Sequence, residues 1–392
     1  MTKKTERSSD KKTPLILIMA IACGITIANL YYNQPLLALL AKDFNAPVHA
    51  VGLIPTLTQI GYALGILLLV PLGDLWERRR LIVVMMILTS LALAIAANSP
   101  NLTWLIIASF MIGVTTIAAQ IIIPFSTQLV KSQDRGKAVG IVMSGVFIGI
   151  LLARTVSGFV GESLGWRAMY WIASGLMLAL AVVMAKVLPR SQPALTSSYG
   201  GLMRSLIHLL RTEPRLQHAS LIGAMTFGAF SAFWSTLAFL LEQPPYHYGS
   251  NIVGLFGLVG VVGAVIAPIA GKVADYRSPR LAVGLGLVTT AFSFAVFWAF
   301  GYQLWGLIIG VIVMDLGVQA TQISNQTSIY QLPTEIHSRL NAVYIMLYFV
   351  GGALGSFLSN YAWSNFGWSG VCVFSLGLLA IAAIDYVRGR NN

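Results

Sequence analysis

The chain has 392 residues, 57% of them hydrophobic and only 10% charged, and its 25 Lys and Arg outnumber 13 Asp and Glu for a net charge of +12. Soluble domains carry roughly 25% charged residues, so a soluble globular fold is excluded. Apolar runs of about 20 residues recur along the whole length, long enough to cross a bilayer, whereas a membrane β-barrel would alternate apolar and polar residues in segments of about ten. What remains is an all-α membrane protein with many spans.

A polar, basic tail comes first, M-T-K-K-T-E-R-S-S-D-K-K. The apolar run behind it has full spanning length and no small-residue cleavage site, so it reads as a retained first helix rather than a removed signal peptide. Helix 1 is expected over 15–40, helix 2 from about 49 to 70, and helix 3 over 81–97 with the turn N-S-P-N behind it. Helix 4 follows over 102–125, helix 5 over 138–161 and helix 6 over 168–188, where Pro189 stops it. The apolar pattern then breaks. S-Q-P-A-L-T-S-S-Y-G-G is linker-like, and L-M-R-S-L-I-H-L-L-R is amphipathic and suited to the membrane surface. Helices 7 to 12 are expected over 221–241, 252–272, 281–300, 303–326, 340–363 and 368–386. The chain thus divides into an N-terminal six-helix bundle (1–188), a cytoplasmic linker with an amphipathic segment (189–217) and a C-terminal six-helix bundle (218–392).

Basic residues orient this arrangement. With the N-terminus in the cytoplasm, 22 of the 25 Lys and Arg fall in cytoplasmic segments; two, Lys42 and Arg167, lie on the opposite face, and Arg154 sits within a helix. That is the positive-inside pattern, with both termini cytoplasmic. The excess charge therefore reports topology, and no nucleic-acid partner is expected. Cys23 and Cys372 lie in apolar runs at opposite ends of the chain, and the five histidines show no ligand pair at i, i+4, so neither a disulfide framework nor a metal site is expected. No HExxH, GxSxG or Walker A pattern occurs, which argues against an enzyme and against ATP hydrolysis by the chain itself.

The two halves repeat. V-G-L at 51–53 recurs at 253–255, Asp74 matches Asp275, Trp104 matches Trp305, and Gly165-Trp166 matches Gly367-Trp368, at offsets of 201 or 202. Chance does not give four matches at a constant offset. Parallel repeats of this kind place substrate sites between the halves near the midplane. One stretch organises each repeat: V-P-L-G-D-L-W-E-R-R-R-L at 70–81, echoed by G-K-V-A-D-Y-R-S-P-R at 271–280.

Twelve helices, a central cytoplasmic loop and this acid-to-basic turn resemble the major facilitator superfamily over essentially the whole chain. The family's loop motif, Gly-x-x-x-Asp-Arg/Lys-x-Gly-Arg/Lys-Arg/Lys, is met at Asp74, Arg78 and Arg79, while Val70, Leu75 and Glu77 depart from it; the echo keeps Gly271, Asp275 and Arg280. N-L-Y-Y-N-Q-P-L-L (29–37), D-L-G-V-Q-A-T-Q-I-S-N-Q (315–326), S-R-L-N-A-V-Y (338–344) and G-G-A-L-G-S (351–356) are similar to the branch holding sugar and nucleoside efflux permeases. The resemblance implies two pseudo-symmetric six-helix bundles in the inner membrane and export of a small solute against inward proton movement. It implies no cofactor beyond the proton gradient, and a functional monomer is expected. It also implies a cytoplasmic gate built on Asp74, Arg78, Arg79, Asp275 and Arg280. The helix 4 arginine of many proton-coupled drug exporters in the superfamily would fall near Ser109, which turns attention to Arg154.

Polar groups are costly in hydrocarbon and mark pathways. Asp315, Gln319, Gln322 and Gln326 share one face of helix 10, with Asp315 near mid-membrane. The alternatives are pathway lining and a hydrogen-bonded seam between helices. Arg154 either faces the cavity, paired with Asp315 or attracting a polar or anionic substrate, or snorkels to the outer interface. If it faces Asp315, drawing it away would let the carboxylate take up a proton. Asn29, Tyr32 and Asn33 at i, i+3, i+4 of helix 1 offer amides around an aromatic ring; the competing reading makes Tyr31 and Tyr32 an interfacial pair. Gln120 on helix 4 is a further pathway candidate.

Gly145/Gly149/Ala153, Gly263/Ala267/Gly271 and Gly351/Gly355/Ser359 suggest sliding contacts between the halves, or simple packing. Arg78–Arg80 are explained by topology, whereas Asp74 is not; it is expected to cap a helix or pair with a base such as Arg135. The leading reading is a proton-coupled exporter of a small polar or amphipathic solute working by alternating access. Proton-coupled uptake uses the same residues, and a channel is disfavoured by the duplicated halves.

Overall fold

A computed structural model describes residues 12–191, 199–260, 279–333 and 336–389, and among them all regular structure is helical. Helices satisfy every backbone group internally, as hydrocarbon demands. The spans are helix 1 (Lys12–Ala28, resuming as Leu37–Asp43), helix 2 (Val48–Leu75), helix 3 (Arg78–Ala97) and helix 4 (Leu102–Gln128). Helix 5 (Arg135–Leu164), helix 6 (Trp166–Val187) and helix 7 (Pro214–Glu242) follow. Helix 8 begins as Ser250–Gly260, and helix 9 (Pro279–Phe300) and helix 10 (Leu304–Ile329) come next. Helices 11 and 12 share the run His337–Arg388, divided at Gly367. Among the described residues these are eleven spans and the start of helix 8, in keeping with the expected twelve-helix fold. The rest of helix 8, Asp275, the Gly263/Ala267/Gly271 series and the linker at 192–198 lie outside the described residues.

The repeat seen in the sequence has a structural meaning at its corners. Gly165 (φ 82°) turns helix 5 into helix 6, and Gly367 (φ 61°) turns helix 11 into helix 12. Both stand in the left-handed region that glycine enters without a Cβ clash, and each is followed by a buried Trp. The basic corners repeat too. Arg79, at the start of helix 3, donates to the Ala185 carbonyl near the end of helix 6. Arg280, at the start of helix 9, donates to Tyr386 O (2.8 Å) and Gly389 O (2.9 Å) at the end of helix 12. Both arginines satisfy the orphan carbonyls of a helix C-terminus.

The glycine seams require a correction. Gly145 and Gly149 pack helix 5 onto Ala20 and Gly24 of helix 1, and Gly351 and Gly355 pack helix 11 onto Ala224 and Gly228 of helix 7. A Cβ at any of the four would come within 2.0–2.2 Å of a backbone carbonyl. These seams close each half on itself, as small-residue crossings do, and are not sliding contacts between halves.

The halves meet elsewhere, at the end opposite the basic loops. Gly158 of helix 5 crosses Ser250 and Gly254 of helix 8, and Gly52 of helix 2 sits against the Asn360 side chain of helix 11. Thr155 Oγ1 donates to Gly254 O (3.0 Å), Ser250 N donates to Glu162 Oε2 (2.9 Å), and Lys42 pairs with Glu242. Glu162 thereby caps the start of helix 8 from the other half. A cavity of about 390 Å³ lies beside these residues, lined by Lys42, Glu162, Glu242 and His247 among others. On the basic face, the amphipathic helix forms as expected over Tyr199–Thr212, burying Leu206 and Leu209. Tyr199 Oη donates to Leu68 O (2.9 Å) of helix 2, and Arg339 of helix 11 donates to Ser205 Oγ.

Candidate functional site

Helix 1 breaks where one continuous helix was expected. Residues 29–33 form turns, and Gln34–Leu36 a single 3-10 turn. Pro35 lacks an N–H, and the flanking Asn residues compete for backbone groups. Freed carbonyls in hydrocarbon need new donors. Asn29 Nδ2 supplies Thr26 O (2.9 Å) and Ile25 O (3.3 Å), and Ser157 Oγ of helix 5 supplies Tyr32 O (2.5 Å). Asn29, Tyr32 and Asn33 therefore do not share a helix face. Asn33 Nδ2 instead reaches Thr58 Oγ1 of helix 2 at 3.4 Å. Tyr31 and Tyr32 are both buried, which overturns the interfacial reading.

The break delivers Tyr31 and Gln34 to Arg154. That side chain is 2% exposed, so it does not snorkel. Its Nε donates to Gln34 Oε1 at 2.7 Å. Its Cζ stands 4.0 Å from the Trp234 ring centroid, 4.8 Å from Tyr31 and 5.7 Å from Phe230. Desolvated cation–π contacts of this kind are worth about 2 kcal/mol each and hold the guanidinium plane in place. Helix 7 supplies Phe230 and Trp234 at i, i+4. Sequence reasoning missed both, because F-G-A-F-S-A-F-W-S reads as an ordinary apolar span; the aromatic spacing was the available signal.

Across the interface, Asp315 on helix 10 is 5% exposed. It forms no ion pair with Arg154 within 4.0 Å, so of the two alternatives for a cavity-facing Arg154 the direct pairing with Asp315 is not made here. Asp315 Oδ2, Arg154 Nη2 and Trp234 Nε1 are buried without a hydrogen-bond partner. Unsatisfied buried groups cost about 1–3 kcal/mol apiece, more when charged. A Cβ on Gly260 would lie 2.8 Å from Asp315 Oδ2, and one on Gly257 3.0 Å from Arg154 Cβ. Both side chains thus border the same face of helix 8.

A row of rings leads from this cage toward the basic face. Trp234, Phe230, Phe227 and Tyr348 follow at centroid spacings of 6.1, 5.6 and 4.0 Å, the last pair stacked. Tyr348 Oη donates to Gln322 Oε1 (3.2 Å), while Gln319 and Gln326 are half-buried on the same helix. Gln120 Nε2 donates to Tyr62 Oη (2.9 Å), whose ring meets Phe349 of the other half edge-on. Ser109 donates to Leu105 O of its own helix.

The loop at 70–81 is built differently from expectation. Asp74 pairs with Arg78 in its own loop (2.8 Å), not with Arg135 or a distant helix. Arg78 is buried, and its Nε also donates to Gly73 O (3.0 Å). Its backbone N–H donates to Ser191 Oγ (3.0 Å). Topology alone therefore does not account for Arg78 and Arg79, which tie helices 2, 3 and 6 together.

Known proteins share this architecture. A family model described as Major Facilitator Superfamily matches residues 19–335. The chain is 40% identical over 385 residues to the putative uncharacterized transporter YgaY of Escherichia coli (strain K12), covering 98% of each. It is 24% identical to the probable sugar efflux transporter of Helicobacter pylori (strain ATCC 700392 / 26695), covering 97% of each. In fold it is similar to the crystal structure of the nucleoside transporter NupG, with a TM-score of 0.74 at 15% identity over 95% of this chain and 98% of that one. A duplicated bundle of twelve membrane-spanning helices with polar groups buried between its halves, matched by that family model along most of its length, makes this chain a member of the major facilitator superfamily of transporters.

Proposed function

We propose that the protein exports a small polar or amphipathic solute in exchange for protons, by rocking its bundles (1–188 and 218–392, joined by 189–217) about a midplane site. One observation carries this: Arg154 and Asp315 are buried in different halves, close to one turn of helix 8, and neither is paired with the other. A relative motion of the halves changes the field at Asp315, and with it the ease of protonation, which is how a proton gradient drives a conformational cycle. Arg154 and Asp315 are the coupling pair. Asn29, Tyr32, Asn33, Gln120, Gln319 and Gln322 surround or approach the pathway. Export is favoured over uptake by the relative named as a sugar efflux transporter.

The protein works in the inner membrane, without a cofactor and as a monomer, with its termini and basic loops cytoplasmic under the positive-inside rule. In this reading Lys42–Glu242 and Glu162–Ser250 close the outer face. Asp74 and Arg78 form the cytoplasmic gate element, with Arg79, Asp275 and Arg280 supporting it in the two repeats. Everted vesicles with an imposed pH gradient test the reading. Addition of a transported solute should release protons, and Asp315→Asn should abolish the release. Solute flux that ignores every gradient, or coupling that survives Asp315→Asn, overturns it.

A further inference from the structure

The polar atoms left unpaired around Arg154 describe a ligand. Arg154 Nη2 and Trp234 Nε1 are donors, Asp315 Oδ2 is an acceptor, and all three are buried. The guanidinium cannot turn away to find another partner. Gln34 holds its Nε, and three rings surround it. What it offers is a fixed N–H edge, the geometry that carboxylates fit. Gly257 borders Arg154 and Gly260 borders Asp315, three residues or about 4.5 Å apart along helix 8. Neither glycine carries a side chain, so helix 8 approaches both Arg154 and Asp315 closely.

We propose that the cargo is a zwitterion of the amino-acid type, its carboxylate on Arg154 Nη2 and Trp234 Nε1, its ammonium on Asp315, and its side chain toward Phe230 and Phe227. This rests on the reading of Arg154 and Asp315 as the transport site. The charges argue for it. A simple anion would repel Asp315 and leave it without a donor; a simple cation would leave both donors open. A neutral sugar would give the guanidinium only uncharged acceptors, weaker partners than a carboxylate. A zwitterion completes all three atoms and adds no net charge. It also gives exchange its stoichiometric logic: the ammonium takes the place of a proton on Asp315, and that proton leaves to the side from which the cargo loads.

The test is calorimetric binding to the purified full-length protein in lipid nanodiscs. The probes are the proteinogenic amino acids, then the amide and the N-acetyl derivative of the tightest binder, then glucose. The amino acid should bind at least about tenfold more tightly than either capped derivative, the worth of one charge-assisted hydrogen bond. Arg154→Gln should erase the preference over the amide, and Asp315→Asn the preference over the N-acetyl derivative. Trp234→Phe keeps a ring over the guanidinium and removes only the N–H. It should therefore weaken binding of the amino acid more than of its amide, whose uncharged carbonyl accepts a weaker hydrogen bond, which keeps the test decisive if Arg154→Gln does not fold. Equal binding of the capped derivatives, or no binding by any amino acid, overturns the proposal. Proton release in everted vesicles is read separately. Amino-acid binding without proton movement sinks the antiport reading alone, and glucose-driven proton release without amino-acid binding sinks the zwitterion alone.

Discussion

Replacing Gly158 with Ala tests whether the helix 5–helix 8 crossing is the seal of the outer face. An added Cβ would stand 2.3 Å from Ser250 O and 2.9 Å from Gly254 Cα, both backbone atoms of the other half. Neither can rotate away, so the halves must part locally by about an ångström. Overpacking of this kind costs about 1–3 kcal/mol. The cost falls on the sealed state alone, because the crossing opens when the halves swing apart. At 1.4 kcal/mol per tenfold, the sealed-to-open ratio should fall by about 5- to 150-fold. The assay is labelling of Val253→Cys, a position 2% exposed in the sealed state, by a membrane-impermeant maleimide on intact cells. Cys23 and Cys372 are buried and serve as a silent background. Gly158→Ala should raise the labelling rate at least fivefold. Gly145→Ala is the control. Its Cβ would strike Ala20 O at 2.2 Å within a single half, so it should lower thermal stability and leave the labelling rate alone. Unchanged labelling in Gly158→Ala, or equal labelling in both variants, would refute the assignment.

Three further outcomes follow from the contacts. Arg78→Leu strips Gly73 O and Asp74 of their donor and should cost about 2–3 kcal/mol, read as a lower melting temperature in detergent; Arg78→Lys should recover less than half, since an ammonium lacks the fork. Asp43 accepts from Trp166 Nε1 (2.8 Å) and Arg167 (2.8 Å), which hold its carboxyl below the ordinary range. A depressed folded-state pKa stabilises above the unfolded value near 4 and is lost as pH falls through the folded value. The melting difference between the natural protein and Asp43→Ala should therefore be present at pH 7 and vanish in acid. Its size should be about 1 kcal/mol, because water screens this half-exposed carboxylate. Lys42→Glu should speed outer-face labelling and the double exchange Lys42→Glu/Glu242→Lys should restore it, while stability changes by under about 1 kcal/mol for so exposed a pair.

Much of the architecture is legible in the amino-acid sequence alone. Charge asymmetry and span length are one-dimensional properties, so the twelve helices came through well. The offset of 202 between the two Gly-Trp pairs came through as well, because a tight corner needs a glycine whatever surrounds it. Arg154 and Asp315 stood out because charge in hydrocarbon is rare. What periodicity could not supply was the neighbour of each face. Gly145 and Gly351 look alike whether their partner belongs to the same half or the other. Phe230 and Trp234 became significant only once Arg154 lay against them. The break in helix 1 did have a signal, Pro35 behind three amides, but a long apolar run on either side outweighed it.

The surface helix Tyr199–Thr212 bridges the two bundles on the basic face. It is fastened to the end of helix 2 through Tyr199 and to the start of helix 11 through Ser205. The two anchor points are six residues apart, about 9 Å of helix. However the bundles swing, these two helix ends stay within that length plus two side chains unless the helix unwinds or an anchor breaks. In the state described here the two bundles are therefore joined across the basic face by a strut about 9 Å long that belongs to the chain itself.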